Sequence, residues 1–295
     1  MRSRGAGLPA KAGEIRMEKR PKGGGTVFNE LIAMYEEPLF LRVIIGTNLI
    51  ALFSFLAMSV PLTLLAYWNP QWVRPYRIQS REPHYGRLIR GSLIHLGRNF
   101  AVAFLLSVLS WPLLRLTGIH DGPLPAWYII VAQVVAFAII DDFLFYWAHR
   151  WLHEIPFLYK AVHSIHHQVT TPIAITGNYM HVVEFLIIST LVFVGPILFG
   201  AHVITIWIWV VVRQWEAASQ HSGISIPWTP THLIPLYDGP AYHDFHHSKF
   251  YGNYSSLFSY TDTLFKTKSK KYDEYRRTKD RGTTTIEDPF QKINH

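Results

Sequence analysis

The sequence predicts an all-α protein, an integral-membrane helical bundle of about four spanning or hairpin helices under a histidine-rich metal-binding cap. Three observations lead there. Only 16% of its 295 residues are charged against 49% hydrophobic, the apolar residues gather in long uncharged runs, and the histidines crowd into one third of the chain. Soluble domains average roughly 25% charged residues, so part of this surface is expected to face lipid.

The elements follow in order. Residues 1–27 are Gly-rich and basic without an apolar run, which predicts a disordered tail and not a signal peptide. Val43 to Trp68 is uncharged and exceeds the about 20 residues a helix needs to cross a bilayer. Pro61 interrupts it, which leaves open a kinked span or a re-entrant hairpin. Residues 69–99 are polar and carry six arginines between Arg74 and Arg98. Phe100 to Leu114 and Ala126 to Trp147 are the next apolar runs, with Trp and Tyr near their ends, as at a membrane interface. A last block, Val182 to Val212, is broken by Gly195-Pro196 and Gly200 and reads as a helical hairpin with short arms. The expected division is therefore a tail at 1–27, membrane helices with an Arg-rich loop at 28–147, a His-rich region at 148–265 that includes the hairpin 182–212, and a basic tail at 266–295.

Charge asymmetry predicts an orientation. The connections 117–125 and 195–202 lack Lys and Arg and are expected in the lumen, which sends the Arg-rich loop, the His clusters and the C-terminus to the cytosol. The basic N-terminal tail conflicts with this if the first segment is a full span.

Composition also excludes. Without cysteine there is no disulfide scaffold, iron–sulfur cluster or thiolate-ligated haem. No G-x-G-x-x-G follows a strand-like run, so any electrons must come from a partner. The net charge of +8 sits mainly in the tails and one loop, which suits anionic lipid headgroups and not nucleic acid.

Twelve of the 16 histidines lie between 149 and 247. His149 and His153 are four apart, while His163, His166 and His167, and again His243, His246 and His247, have the i, i+3, i+4 spacing of one helix face. A lone histidine is ordinarily a hydrogen-bonded structural residue, but eight clustered imidazoles beside a membrane would be costly to desolvate without a shared partner. A tetrahedral zinc takes four ligands at most, so this number points to two metals. H-E-x-x-H is absent, which disfavours a zinc protease, and imidazole ligation with redox chemistry suits non-haem iron while leaving zinc open. Asp142 lies seven residues before His149 on the same face and is expected to orient a ligand imidazole from behind, an ion pair with Arg150 being the alternative. Asp141 reads as structural, and Glu184 and Glu216 as Glu–Arg pairs bracing the hairpin. His181 and His221 stand singly beside that hairpin.

The segments D-D-x-x-x-Y-W-x-H-R-x-x-H (141–153), H-S-I-H-H (163–167), Y-M-H-V-V-E (179–184), R-Q-W-E-x-x-x-x-H-S-G (213–223) and H-D-F-H-H with G-N-Y-S-S (252–256) resemble the 4-methylsterol monooxygenases, within the sterol desaturase and fatty-acid hydroxylase family. The likeness runs from about Tyr76 to Tyr275. It implies a membrane bundle of the endoplasmic reticulum with a cytosolic metal domain, two non-haem irons, and electrons from NAD(P)H through cytochrome b5 and its reductase. It implies a sterol substrate whose C4 methyl passes through alcohol and aldehyde to carboxylate, with a sterol decarboxylase or ketoreductase acting next. Carried over, His149, His153, His163, His166, His167, His243, His246 and His247 match the iron-binding boxes, His221 the H-S-G histidine and His181 the Y-A-H histidine. The chain departs from the family's usual residues at Asn178, Val182, Ser219, Ile224, Ser225 and Lys266, none of them a boxed histidine. A fatty-acyl or sphingolipid hydroxylase or desaturase would share the boxes, and an inactive lipid-binding relative is the non-enzyme alternative. The aromatic and Pro-rich segment Trp228 to Tyr237 reads as a lid or as interface packing.

Overall fold

A computed structural model describes residues 25–226 and 229–280, and these form helices joined by ordered loops with no strand among them. Of the tails expected at 1–27 and 266–295, residues 1–24 and 281–295 lie outside the described residues, as does Trp228.

Three helices are long and apolar enough to cross a membrane: α2 (Pro38–Trp68), α3 (Tyr85–Leu114) and α4 (Trp127–Glu154), preceded by a shorter α1 (Gly25–Glu36). At 1.5 Å per residue the 31 residues of α2 reach about 46 Å. Its path runs unbroken through Pro61, with a π-helical stretch at Leu41–Gly46, so the re-entrant alternative is excluded. Proline removes one backbone bond and leaves the rest of the ladder intact. The predicted hairpin is α5 (Val182–Leu198) and α6 (Val203–Gln220), turned at Phe199 to His202.

These helices share one apolar core. Ile44 of α2, Trp111 of α3, Phe137 of α4 and Ile206 and Trp209 of α6 belong to a single buried cluster. Gly195 lets α5 close on α4, since a Cβ there would stand 2.7 Å from the Phe137 ring. Outward, Phe53, Leu105, Leu109, Val131 and Val135 are exposed along the spans, as lipid-facing residues would be.

The two ends of the bundle differ. At one end α1 is tied down by Trp111 Nε1–H donating to Met34 O (2.8 Å) and by Arg115 pairing with Glu37 (2.6 Å). There too His120 and His202 bridge the two connections that lack Lys and Arg. At the other end stand the C-termini of α2, α4 and α6, the loop 69–84, a 3-10 turn at His163–Gln168, α7 (Pro240–Lys249) and α8 (Lys270–Asp280). Residues 25–42 therefore sit at the pole opposite the histidines.

Candidate metal centre

Each ligand-bearing element is stopped where its histidines are needed. Helix α4 ends one residue after His153, because Ile155 before Pro156 adopts an extended conformation. The box expected as a helix face at 163–167 is instead a 3-10 turn, His163–Gln168. Helix α7 carries His243, His246 and His247, and α6 ends at His221.

The boxes do not map one to one onto metal sites. His149, His153, His163, His167 and His246 converge in one group, and His166, His221, His243 and His247 in a second, with ligand atoms in each within 4.8 Å of one another. In the first, His153 Nε2 lies 2.8 Å from His163 Nε2, 3.0 Å from His167 Nε2 and 3.1 Å from His246 Nε2. In the second, His221 Nε2 lies 3.4 Å from His166, 3.1 Å from His243 and 3.2 Å from His247.

The protons on these rings require a cation. A carbonyl oxygen only accepts, so a ring nitrogen facing one carries the hydrogen. His149 Nδ1 donates to Tyr254 O (2.7 Å), His246 to Gly252 O (2.8 Å), His166 to Tyr179 O (3.0 Å), His247 to Val169 O (2.9 Å) and His221 to Ala217 O (2.8 Å). Burial opposes a second proton, holding His166 at about 4 and His221 and His246 at about 3, and depressing His163, His167, His243 and His247 as well. Each of the five rings is thus neutral with a bare Nε2 lone pair. His166, His221 and His247 then aim lone pairs at one another with no hydrogen between them, which is repulsive without a positive ion. Nitrogens about 2.1 Å from one ion would stand roughly 3.0–3.4 Å apart at right-angled to tetrahedral spacing, matching the separations found. The donor set fits two metals, all of it imidazole.

Behind the ligands lies a layer that sequence reasoning missed. The Gly252 and Tyr254 carbonyls come from the G-N-Y-S-S loop, and Asp262 holds that loop. Its Oδ1 accepts from Tyr254 N (2.9 Å) and Thr267 Oγ1 (2.6 Å), and its Oδ2 from Ser255 N (2.7 Å) and Tyr242 Oη (2.7 Å). Gly252 has φ +72°, and a Cβ there would fall 2.6 Å from Thr267 O. Asp262 stands alone in a polar stretch, so spacing gave no sign of it.

Three sequence expectations are corrected. Asp142 touches no imidazole: its Oδ1 accepts from Leu257 N (2.7 Å) and Phe258 N (3.1 Å), so it acts on the loop and not on a ring. Sharing a face with His149 did not bring the two together, because seven residues of helix set them about 10 Å apart along the axis of α4. His181 joins neither group; it caps α5, its Nδ1 accepting from Val183 N (3.2 Å). Glu184 pairs with His163 and not with arginine, its Oε1 2.8 Å from His163 Nδ1. Of the Trp228 to Tyr237 segment, the described part leaves Leu233 and Leu236 exposed and stacks Tyr237 on Trp215, which fits the interface-packing alternative. Glu216 does form the expected pair with Arg213 (2.6 Å), and Arg213 also meets Asp141 (3.0 Å).

A cavity of about 740 Å³ including its open mouth joins the metal site to the bundle. His149, His166, His221 and His243 form its inner end, Phe145, Phe185, Ile188 and Val192 its apolar wall, and Asn178 and Gln220 line it as well. Its long wall follows α5 from the cap toward the middle of the bundle.

Comparison with known proteins agrees with this picture. A sequence model of the fatty acid hydroxylase family matches residues 134–267, which span all nine clustered histidines. Very-long-chain aldehyde decarbonylase GL1-11 of Oryza sativa subsp. indica is 42% identical over 69% of this chain and 76% of its own. Methylsterol monooxygenase 2-2 of Arabidopsis thaliana is 37% identical over 82% of this chain and 91% of its own, and methylsterol monooxygenase 1-3 is 34% identical over 75% and 77%. No solved structure matches significantly.

Proposed function

This chain belongs to the fatty acid hydroxylase family, and we propose that within it the protein oxidises the C4 methyl group of 4-methyl or 4,4-dimethyl sterols. The family is iron-dependent and its members are membrane enzymes. The observation that carries the proposal is the cavity, whose inner end is made of ligand imidazoles and whose wall is made of membrane helices. A lipid dissolved in the bilayer can reach such a site without crossing water.

Two irons held by the nine imidazoles would supply activation of O2 for attack on an unactivated C–H bond, which acid–base side chains cannot achieve. The chain's own residues do the remainder. Phe145, Phe185, Ile188 and Val192 bind hydrocarbon and exclude water. The carbonyls of Tyr254, Gly252, Tyr179, Val169 and Ala217 hold the Nδ1 protons and keep Nε2 free to ligate. Electrons come from NAD(P)H through cytochrome b5 and its reductase, the cap faces the cytosol of the endoplasmic reticulum, and a sterol decarboxylase or ketoreductase takes the product. The connections 117–125 and 195–202, which lack Lys and Arg, support that orientation.

A second reading is favoured by the relatives named very-long-chain aldehyde decarbonylase, of which GL1-11 and GL1-8 are more identical to this chain than methylsterol monooxygenase 2-2 is. Under it the substrate is a long-chain aldehyde. The two readings separate in one assay: iron-loaded protein in nanodiscs, with O2 and a reductase system, is given a 4,4-dimethyl sterol or a long-chain aldehyde. Sterol carrying an oxidised C4 methyl is expected. Hydrocarbon from the aldehyde with unchanged sterol would overturn the sterol proposal.

A further inference from the structure

The two histidine groups differ in what stands behind them. Five ligands hand their Nδ1 proton to a backbone carbonyl, in both groups alike. His163, in the five-imidazole group, faces a carboxylate, Glu184 Oε1 at 2.8 Å. Glu184 is 1% exposed, lies in the first turn of α5, and has no hydrogen-bond partner at Oε2. No cation among the described residues pairs with it; its electrostatic counterpart is the histidine group itself. It also lines the cavity beside Phe185.

A carboxylate draws on an imidazole N–H more strongly than a peptide carbonyl does, and the opposite ring nitrogen becomes a better donor to a metal. Burial opposes a charge on Glu184; the helix dipole and a metal cation held through His163 would offset that and keep it a carboxylate. The four-imidazole group receives no such contribution among the described residues. We infer that Glu184 is a positioning residue that strengthens the five-imidazole site through His163, adding to the difference that five imidazoles against four already sets. The inference rests on the metal-centre reading and is independent of the substrate.

The test uses the full chain in nanodiscs loaded with 57Fe and read by Mössbauer spectroscopy. Wild-type protein should give two doublets of equal area. Glu184→Gln should shift one doublet and leave the other, and iron at the shifted site should be lost to chelator at about 10–100-fold lower competitor concentration. His163→Gln should perturb the same doublet, and the double variant should add nothing to His163→Gln alone. Two unmoved doublets in Glu184→Gln, or equal shifts in both, would overturn the inference. If that variant does not assemble, Glu184→Asp carries the test: it retains the carboxylate at a longer reach and should move the same doublet by less, and unmoved doublets would again overturn it. A chain that binds no iron fails the metal centre as a whole; iron bound with unaltered doublets fails only this inference. Sterol turnover enters neither outcome.

Discussion

The lipid-facing half of the bundle and the histidine cap are held together by different means. Along α2, α3 and α4 the contacts are apolar and interchangeable: Leu109 and Val131 point outward, and the core is a continuous layer of Ile, Phe and Trp. The cap has apolar clusters of its own, around Phe245 and Ile173, but adds to them a dense set of buried polar side chains that hold one another and the ligand loops. Asp262 alone accepts four hydrogen bonds. Apolar packing tolerates exchange at similar volume, whereas a buried polar network loses a specific donor or acceptor with each change. The membrane half should be robust and the cap brittle, and experiments can break or sharpen that contrast.

The largest effect is expected from pH on the metal-free protein. Unfolded histidine titrates near 6.5, while His166 is held at about 4 and His221 and His246 at about 3. Between about 6.5 and 3 the unfolded chain binds more protons than the folded one, so stability falls as pH drops through that window. Above 6.5 these groups contribute no slope. Melting temperatures in detergent should be level from pH 8 to 7 and fall steadily below 6.5; a melting point indifferent to acid would remove the contrast.

Next comes Asp262→Ala. It strands the Tyr254 and Ser255 amides in a buried site, at about 1–3 kcal/mol for each unsatisfied group. Thermal unfolding should drop accordingly and iron retention with it. Wild-type stability in this variant would mean the loop is held by something else.

A smaller loss separates His181 from the ligands. His181→Ala should cost about 1 kcal/mol as a lost helix cap and leave iron content unchanged. Loss of iron in that variant would return His181 to the metal site. Smallest of all, Leu109→Ala on the lipid face of α3 should stay within about 0.5 kcal/mol.

What the sequence disclosed follows from the same contrast. The spans and the hairpin were legible because bilayer thickness writes itself as run length, and the boxes because ligands on one turn recur at i, i+3 and i+4, on α7 as expected and in the 3-10 turn at 163–167 where an α-helix was expected. The sorting of boxes was not legible. His166 leaves its neighbours His163 and His167 for the other group, and His246 parts from His243 and His247, because the 3-10 turn and α7 pass between both sites. Spacing within one helix also misdirected the reading of Asp142 and Glu184. Both face partners more than twenty positions away or across a turn, and one-dimensional distance carries no such information.

The central claim is that nine imidazoles form two separate metal sites, and iron counting on purified full-length protein tests it most directly. Wild type should hold two irons per chain. His153→Gln, in the five-imidazole group, and His221→Gln, in the four-imidazole group, should each lose one and keep the other, and the double variant should hold none. One iron in wild type, or an unchanged count in both single variants, would contradict the account.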